Sequence, residues 1–157
     1  GFTAAVYQSR PESRGYLEIK SDDPLADPRI IPNYLSTELD QKTLVAGVKM
    51  LRDIYQQPAF KSLYDKEMVP GSSAASDEDI LNFARNYGGT VFHPSGTCRA
   101  GDDTESVVDP DLKVRGVQRL RVIDASVMPK IPSGNINAAT LMIGERGAEK
   151  IIKSAQS

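Results

Sequence analysis

Apolar residues at helical spacing in one stretch constrain the fold of this chain most. Within residues 36–56, Leu44, Val48, Leu51 and Tyr55 recur at intervals of three and four positions, which places them on one face of an α-helix. Such a face is stable only when other elements cover it, so the pattern predicts a helix packed on a neighbouring layer. The chain of 157 residues is long enough for one modest core.

Polar residues at capping positions predict where two helices begin. Thr37 followed by Asp40 fits a capping pair at the first helix, and Ser76 followed by Asp79 fits a capping box at a second helix. The second helix runs to the glycine pair at 88–89, which we predict to be a left-handed stop.

Alternating side chains predict strands before the first helix. Residues 5–8 and 16–20 alternate in character, and the Pro and Gly of the intervening SRPESRG stretch (9–15) favour a turn, so the two segments predict a β-pair. The next stretch, SDDPLADPRIIPNYL (21–35), contains three prolines. It is therefore predicted to be an extended connector rather than a helix or a central strand.

The C-terminal half predicts shorter elements. Strands are predicted at 107–108, 112–114 and 120–123, before a last helix over about 137–154. Together with the earlier elements they predict an α+β fold, in which helices flank an antiparallel sheet.

Composition argues against several classes of function. Hydrophobic residues make up 39% and charged residues 25%, which is typical of a globular domain. The 19 basic and 21 acidic residues are mixed along the chain, so a net charge of −2 predicts no nucleic-acid partner and favours a small-molecule function. Cys98 and His93 are each the only residue of their type, so neither a disulfide nor a metal site is predicted. No apolar run approaches the roughly 18 to 20 residues of a transmembrane helix, and we expect a cytoplasmic location.

Three segments are polar or glycine-rich where a core element would be apolar: HPSGTCRAG at 93–101, VIDASVMP at 122–129 and PSGNINAAT at 132–140. Their order and content resemble the C-terminal signature of the glucose-methanol-choline (GMC) oxidoreductases. The resemblance extends back to SRGYLEIKSDDPLADPRI at 13–30 and NYLS at 33–36, so it covers nearly the whole chain. Because several separated motifs agree in order, the match is more specific than any one of them.

The resemblance implies a division between two domains of an intact enzyme. Residues 1–115 are expected to form part of its substrate-binding domain, and the strand and helix in 116–157 to return to its FAD-binding domain. The chain contains no G-x-G-x-x-G motif, so the dinucleotide fingerprint is expected in a separate N-terminal FAD-binding region. The start at Gly1, without an initiator Met, agrees with the C-terminal part of a longer protein. We therefore expect FAD in the intact enzyme and not on this chain alone.

His93 and Asn137 are the catalytic residues that the resemblance implies. In the family pattern the His faces the flavin, and its partner, a His or an Asn, follows about forty residues later in the loop that opens the final helix; Asn137 occupies that place. Imidazole suits a general base because it exchanges a proton near neutral pH. By residue type alone, a single His beside a Pro is more often structural, and Asn135 and Asn137 are most simply N-caps.

The resemblance also implies the cofactor contacts. The backbone of Asn137, Ala138 and Ala139 is expected at the pyrimidine edge of the flavin, because a helix N-terminus favours negative charge. Backbone amides of Asp124 and Ala125 are expected against its ribityl and phosphate region. By residue type alone, Asp124 is a turn former at a strand end.

The function implied is oxidation of an alcohol CH–OH group by hydride transfer to flavin, with His93 as base and Asn137 beside it. The alcohol substrate stays open between choline-like, aliphatic, aromatic and sugar compounds, as does the electron acceptor. Two alternatives stand beside this hypothesis. One is a hydroxynitrile lyase of the same fold, which cyanide release without flavin bleaching would identify, and the other is a chain with no activity of its own.

Overall fold

The computed structural model describes residues 1–156, which divide between Thr90 and Val91 into two units. The regular elements are, in chain order, β1 (Tyr16–Glu18), β2 (Arg29–Ile31), α1 (Glu38–Tyr55), a 3-10 helix (Pro58–Phe60), α2 (Asp77–Tyr87), a second 3-10 helix (Ala125–Val127) and α3 (Asn137–Ala155). Helices combined with a small antiparallel sheet agree with the α+β class. The predicted division after residue 115 concerns the domains of an intact enzyme and stays a prediction.

The sheet of the first unit consists of β1 and β2. The strands are antiparallel, with Tyr16 opposite Ile31 and Glu18 opposite Arg29. The carboxylate of Glu18 lies 3.0 Å from the Arg29 guanidinium, so an exposed ion pair joins the strands. Because β2 lies in the proline-rich stretch, the prediction of a connector is wrong at Arg29–Ile31, whereas the exclusion of a central strand holds, since both strands of a two-stranded sheet are edge strands. The prolines of this stretch flank the three residues of β2 and leave their N–H groups available for pairing.

The predicted pairing of residues 5–8 with 16–20 is also wrong, because residues 1–8 contain no strand. The N-terminal segment contacts α1 instead. The rings of Phe2 and Tyr55 lie 5.3 Å apart, and Val6 packs so closely on Gly47 that a Cβ there would collide with its side chain. Apolar contact with a helix thus takes the place of the strand pairing that the alternation suggested.

The predicted helix starts are confirmed by their capping bonds. The Thr37 side chain accepts a hydrogen bond from the N–H of Asp40 at 3.4 Å. At α2, Ser76 Oγ accepts from the N–H of Asp79 at 3.1 Å, and Asp79 Oδ2 accepts from the N–H of Ser76 at 2.9 Å. Both helices therefore begin where local side chains satisfy first-turn N–H groups.

The predicted left-handed stop of α2 is wrong. Gly88 has a φ of −66°, an ordinary value for any residue, and its N–H donates to the carbonyl of Ala84 at 2.8 Å. The helix ends on this hydrogen bond while the chain continues in an extended conformation, so a positive φ is not needed.

The core of the first unit lies between α1 and α2. Val45, Ala74, Ile80 and Leu81 are buried, and Val48 packs against them. The helical pattern placed the buried face of α1 correctly at Val48. Its centre is one residue from the predicted Leu44: Val45 is buried with Ile80 and Leu81 of α2, whereas Leu44 is only half-buried.

A buried carboxylate ties the segment before β1 to the start of α1. Asp40 is 2% exposed and accepts hydrogen bonds from the N–H groups of Glu12 (3.0 Å) and Ser13 (2.8 Å) and from the Ser13 hydroxyl (2.5 Å). Burial raises the pKa of Asp40, but these hydrogen bonds and that of Thr37 outweigh it, so the pKa lies below its ordinary value. The folded unit is therefore built around the ionised form.

The second unit is built on a core between short irregular segments. Val108, Leu112 and Val127 are buried, and five further residues pack against them: Ala100, Val114, Val122, Ile123 and Ile143. The strands predicted at 107–108, 112–114 and 120–123 are reduced to isolated bridges in the described chain, so the C-terminal strand of the predicted fold is not a regular strand here. A longer strand needs a neighbour that continues to pair with it.

None of the helices within residues 1–156 combines the length and the apolar character that crossing a bilayer requires.

Replacing Asp40 with Asn should lower the free energy of unfolding by about 1.5 to 3 kcal/mol. In the wild type the surrounding donors bind ionised oxygens, whereas in the variant some of them would face the amide NH₂ group, which is itself a donor. The folded-state pKa of Asp40 lies below its unfolded value, so its stabilisation is present at neutral pH and is lost as the pH falls through the folded-state pKa. Urea unfolding at a series of pH values measures both effects.

The matched control is Asp53→Asn, which removes an exposed carboxylate from the same helix and should change stability by less than about 0.5 kcal/mol. An Asp40→Asn protein that keeps wild-type stability and acid sensitivity would contradict the role given to this carboxylate.

Candidate active site

Two of the three polar segments are joined by their backbones. The chain after His93 runs beside the second 3-10 helix, and three N–H groups of the first segment donate to three successive carbonyls of the second: Gly96 to Ala125 (3.4 Å), Cys98 to Ser126 (2.9 Å) and Ala100 to Val127 (2.9 Å). These bonds fix the loop that carries His93 against the turn that follows Asp124.

Glycine is required at one position of this loop. Gly96 has a φ of +87°, and a Cβ there would lie 3.3 Å from the carbonyl oxygen of Met128. A side chain would therefore meet both backbone strain and crowding. The close approach of the two segments depends on this position.

Asp124 stabilises the turn that the loop binds. It is the N-cap of the 3-10 helix, and its Oδ1 accepts a hydrogen bond from the N–H of Ser126 at 2.7 Å. The side chain of Asp124 thus has the turn-forming role expected from its residue type. The cofactor contacts predicted for the backbones of Asp124 and Ala125 stay predictions.

The third polar segment is joined to the first through His93. The Nε2 atom of His93 lies 3.1 Å from Oδ1 of Asn135, within hydrogen-bond distance, and a ring protonated on Nε2 donates to this amide oxygen. His93 is partly exposed and Asn135 is exposed, so the pair is open to a ligand. The side chain that the structure brings to His93 is therefore that of Asn135, and not that of Asn137, the partner predicted from the family pattern.

Asn137 has a different position, as the first residue of α3. The N-cap is Ile136, which is buried and has helical backbone angles, so neither Asn135 nor Asn137 caps the helix as residue type suggested. Asn135 lies outside the helix, in the loop after Gly134, and its side chain is free to turn toward His93. The GNIN motif offered two asparagines, and only the exact start of α3 distinguishes them.

The first turn of α3 presents unpaired donors. Within residues 1–156, the N–H groups of Asn137, Ala138 and Ala139 have no hydrogen-bond acceptor, and the first one that is paired belongs to Thr140, which donates to the carbonyl of Ile136 at 2.9 Å. Three aligned N–H groups at a helix N-terminus carry a partial positive charge, which suits an electron-rich ligand.

Contacts along α3 hold this first turn in place. Gly147 is buried against Ile123, which directly precedes Asp124, and there is no space for a Cβ between them. Nearer the C-terminus, Lys150 forms an ion pair with Asp111 at 2.6 Å, and this ion pair lowers the pKa of Asp111. The position of α3 is thus coupled to the turn at Asp124.

A charged pair braces the end of the His93 loop. Both terminal guanidinium nitrogens of Arg99 donate to the Asp103 carboxylate, at 2.7 and 2.8 Å, and these bonds hold the pKa of Asp103 well below its usual range. This contact gives Arg99 a structural role at the end of the loop.

Known proteins resemble this chain in both sequence and fold. The GMC oxidoreductase pattern matches residues 11–144. The chain belongs to this family. The alcohol dehydrogenase [acceptor] of Pseudomonas putida is 46% identical over 98% of this chain, and the oxygen-dependent choline dehydrogenase of Escherichia coli is 44% identical over 96% of it. A solved structure of formate oxidase from Aspergillus oryzae RIB40, studied for FAD modification, superimposes on 91% of the chain with a TM-score of 0.85 at 32% identity.

These relatives are considerably longer than this GMC oxidoreductase chain. It spans 28% of the Pseudomonas putida protein, 27% of the Escherichia coli protein and 25% of the Aspergillus oryzae chain. The activity, substrate and partners of the whole protein are accordingly a matter for proposal.

The contact between α3 and Ile123 leads to a paired prediction for this GMC oxidoreductase. Gly147→Ala should lower the free energy of unfolding. The cost of overpacking, about 1 to 3 kcal/mol, exceeds the gain in helix propensity of about 1 kcal/mol. Gly144→Ala lies on the same helix with open space around it and should be neutral or stabilising. Thermal unfolding of both variants measures the difference, and equal melting temperatures would contradict the close packing at Gly147.

Proposed function

We propose that the intact protein is an FAD-dependent oxidoreductase that oxidises an alcohol CH–OH group, with His93 as its general base. The observation that carries the proposal is the pairing of His93 with Asn135 two residues before the unpaired N–H groups of α3. A proton acceptor, an amide and a set of anion-binding donors are thereby near one another in a GMC oxidoreductase.

His93 is proposed to take the hydroxyl proton of the alcohol. Its Nε2 already lies at hydrogen-bond distance from an oxygen atom, that of the Asn135 amide, and an alcohol oxygen that replaced this contact would lie equally close. A positioned base removes the hydroxyl proton as the C–H bond breaks, and it typically contributes about 10²- to 10⁴-fold to the rate.

Asn135 is proposed to hold the substrate oxygen. When its amide is rotated so that the NH₂ group faces the alcohol, it donates a hydrogen bond that becomes stronger as negative charge develops on the oxygen. Asn137, which the family resemblance places beside His93, is the competing candidate for this role. Asn135 is favoured because its side chain, and not that of Asn137, is the one bonded to His93.

FAD is proposed as the cofactor, and the donors of the second unit fit it. The N–H groups of Asn137, Ala138 and Ala139 would hold the pyrimidine edge of the flavin, and the backbone of Asp124 and Ala125 would lie at its ribityl and phosphate region. When bound, FAD accepts the hydride from the alcohol carbon. The part of the chain described here supplies orientation and proton transfer, while the pyrophosphate-binding fingerprint is proposed to lie in an N-terminal region.

The substrate class is proposed no more finely than an alcohol. The similar proteins include an alcohol dehydrogenase and a choline dehydrogenase. These names give the substrates of those proteins and do not choose a substrate for this one. Both are consistent with one reaction at a CH–OH group.

In the intact protein, His93→Ala should lower kcat/KM for the alcohol by about 10²- to 10⁴-fold and leave FAD content near normal, because it removes a proton acceptor and no cofactor contact. Anaerobic stopped-flow measurement of flavin reduction isolates the step. Glu145→Ala, an exposed change on α3, is the control and should react as the wild type does. If His93→Ala reduced its flavin at the wild-type rate from about pH 6 to about pH 9, His93 would not be the base.

A comparison of the two asparagines tests which one holds the substrate oxygen. Asn135→Ala should slow flavin reduction by about 10²- to 10³-fold, the effect of losing one donor to a developing oxyanion. Asn137→Ala should have a smaller effect, because its backbone N–H is retained. If Asn137→Ala instead slowed flavin reduction more than Asn135→Ala, and Asn137→His slowed it only slightly, the role would belong to Asn137.

A further inference from the structure

A cleft of about 620 Å³ lies in the second unit, and none of the residues assigned above to catalysis or FAD lines it. Its wall is the segment from Lys113 to Arg121, Asp109 and Ser154 complete its lining, and the cleft is open to solvent. Small-molecule sites have volumes of roughly 300 to 1,000 Å³, so the cleft is large enough for a ligand of several polar groups.

The wall of the cleft is a short antiparallel hairpin. The N–H of Val114 donates to the carbonyl of Leu120 at 3.0 Å, and the N–H of Val122 donates to the carbonyl of Leu112 at 3.1 Å. These two bonds bracket Lys113 and Arg121, which are therefore directly opposite one another as a non-hydrogen-bonded pair. Side chains approach each other most closely at such a position.

The hairpin brings several basic side chains to one cleft. Val114 and Val122 pack on the core of the unit. Val114, Val117 and Leu120 form apolar parts of the cleft lining, which also contains four cations: Lys113, Arg115, Arg119 and Arg121. Within residues 1–156, none of these four forms a salt bridge with a carboxylate.

Two of these cations make hydrogen bonds to other groups of the second unit. Arg115 donates to the backbone carbonyl of Gly101 at 2.7 Å, and Arg121 donates to the carbonyl of Asp111 and to the hydroxyl of Ser154, both at 3.3 Å. All of these acceptors are neutral. The contacts orient the two guanidinium groups without neutralising them.

Two carboxylates lie near these cations and offset part of their charge. Asp109, which lines the cleft, accepts through Oδ1 from the N–H groups of Asp111 and Lys113, at 2.8 and 2.9 Å, and Asp111 is bound to Lys150 at 2.6 Å. The bond to Lys150 lowers the pKa of Asp111 most, and the charges of Lys113 and Arg121 lower it further. Four cations against these two carboxylates leave net positive charge at the cleft, and the like charges of Lys113 and Arg121, directly opposite one another, favour an anion between them.

We propose that this cleft binds a small molecule through a phosphate or a similar doubly charged oxyanion, held by Lys113, Arg119 and Arg121. Guanidinium groups match such a group because their N–H donors are spaced for two parallel hydrogen bonds to its oxygens. Because the cleft is concave and lined with cations, it favours a compact anion over an extended anionic surface. The near-neutral composition of the whole chain does not oppose this, because the positive charge is local.

The test is titration of inorganic pyrophosphate into the intact protein with its cofactor bound, followed by isothermal calorimetry in low-salt, phosphate-free buffer. We expect saturable binding of one pyrophosphate that weakens as NaCl is added. The double variant Lys113→Gln with Arg119→Gln removes two exposed cations and should weaken binding at least about tenfold, equivalent to about 1.4 kcal/mol. Flavin absorbance should be unchanged in the variant.

The matched control is Lys20→Gln with Lys66→Gln, which removes two exposed cations from the first unit and should bind pyrophosphate as the wild type does. Absence of saturable binding, or equal affinity in the cleft variant, would overturn the proposal. Co-sedimentation with phosphatidylglycerol vesicles is a separate arm. Vesicle binding that depends on Lys113 and Arg119, with no binding of pyrophosphate, would identify a lipid surface and would likewise overturn a small-molecule site.

Discussion

Backbone hydrogen bonding between residues 96–100 and 125–127 is the constraint on which the candidate active site depends. It brings the loop after His93 against the turn at Asp124, although about thirty residues separate them. Gly96 permits the approach, because it accepts a positive φ and leaves space for a neighbouring carbonyl. Packing of α3 on Ile123 then brings the helix start to the same place, and the contact between His93 and Asn135 follows from both.

The first unit depends on a different kind of interaction. Its apolar core between α1 and α2 is small, and a buried Asp40 connects α1 to the chain before β1 through donors from Glu12 and Ser13. Such a carboxylate is stable in a buried place only because each of its oxygens meets donors. The unit thus combines a modest hydrophobic contribution with one polar junction that is sensitive to acid.

Local features of the fold were predictable from the sequence, and pairing between distant segments was not. The starts of α1 and α2 were predicted because Thr37 and Ser76 act on N–H groups three residues away. The partner of β1 was not, since alternation marks a segment as strand-like without specifying its neighbour. The same limit applies to His93: its motif was recognisable, but the choice between Asn135 and Asn137 depended on which residue begins α3.

By itself, the sequence determined the family, the helices with their polar starts, and the segments that carry chemistry, because these depend on residue order and on interactions within one turn of the chain. The tertiary structure decided that β2 pairs with β1, that Asn135 contacts His93, and that four cations line one cleft. These outcomes depend on backbone hydrogen bonds and close packing between residues far apart in the chain. A sequence pattern indicates which side chains can make such contacts, and only the folded backbone determines which of them meet.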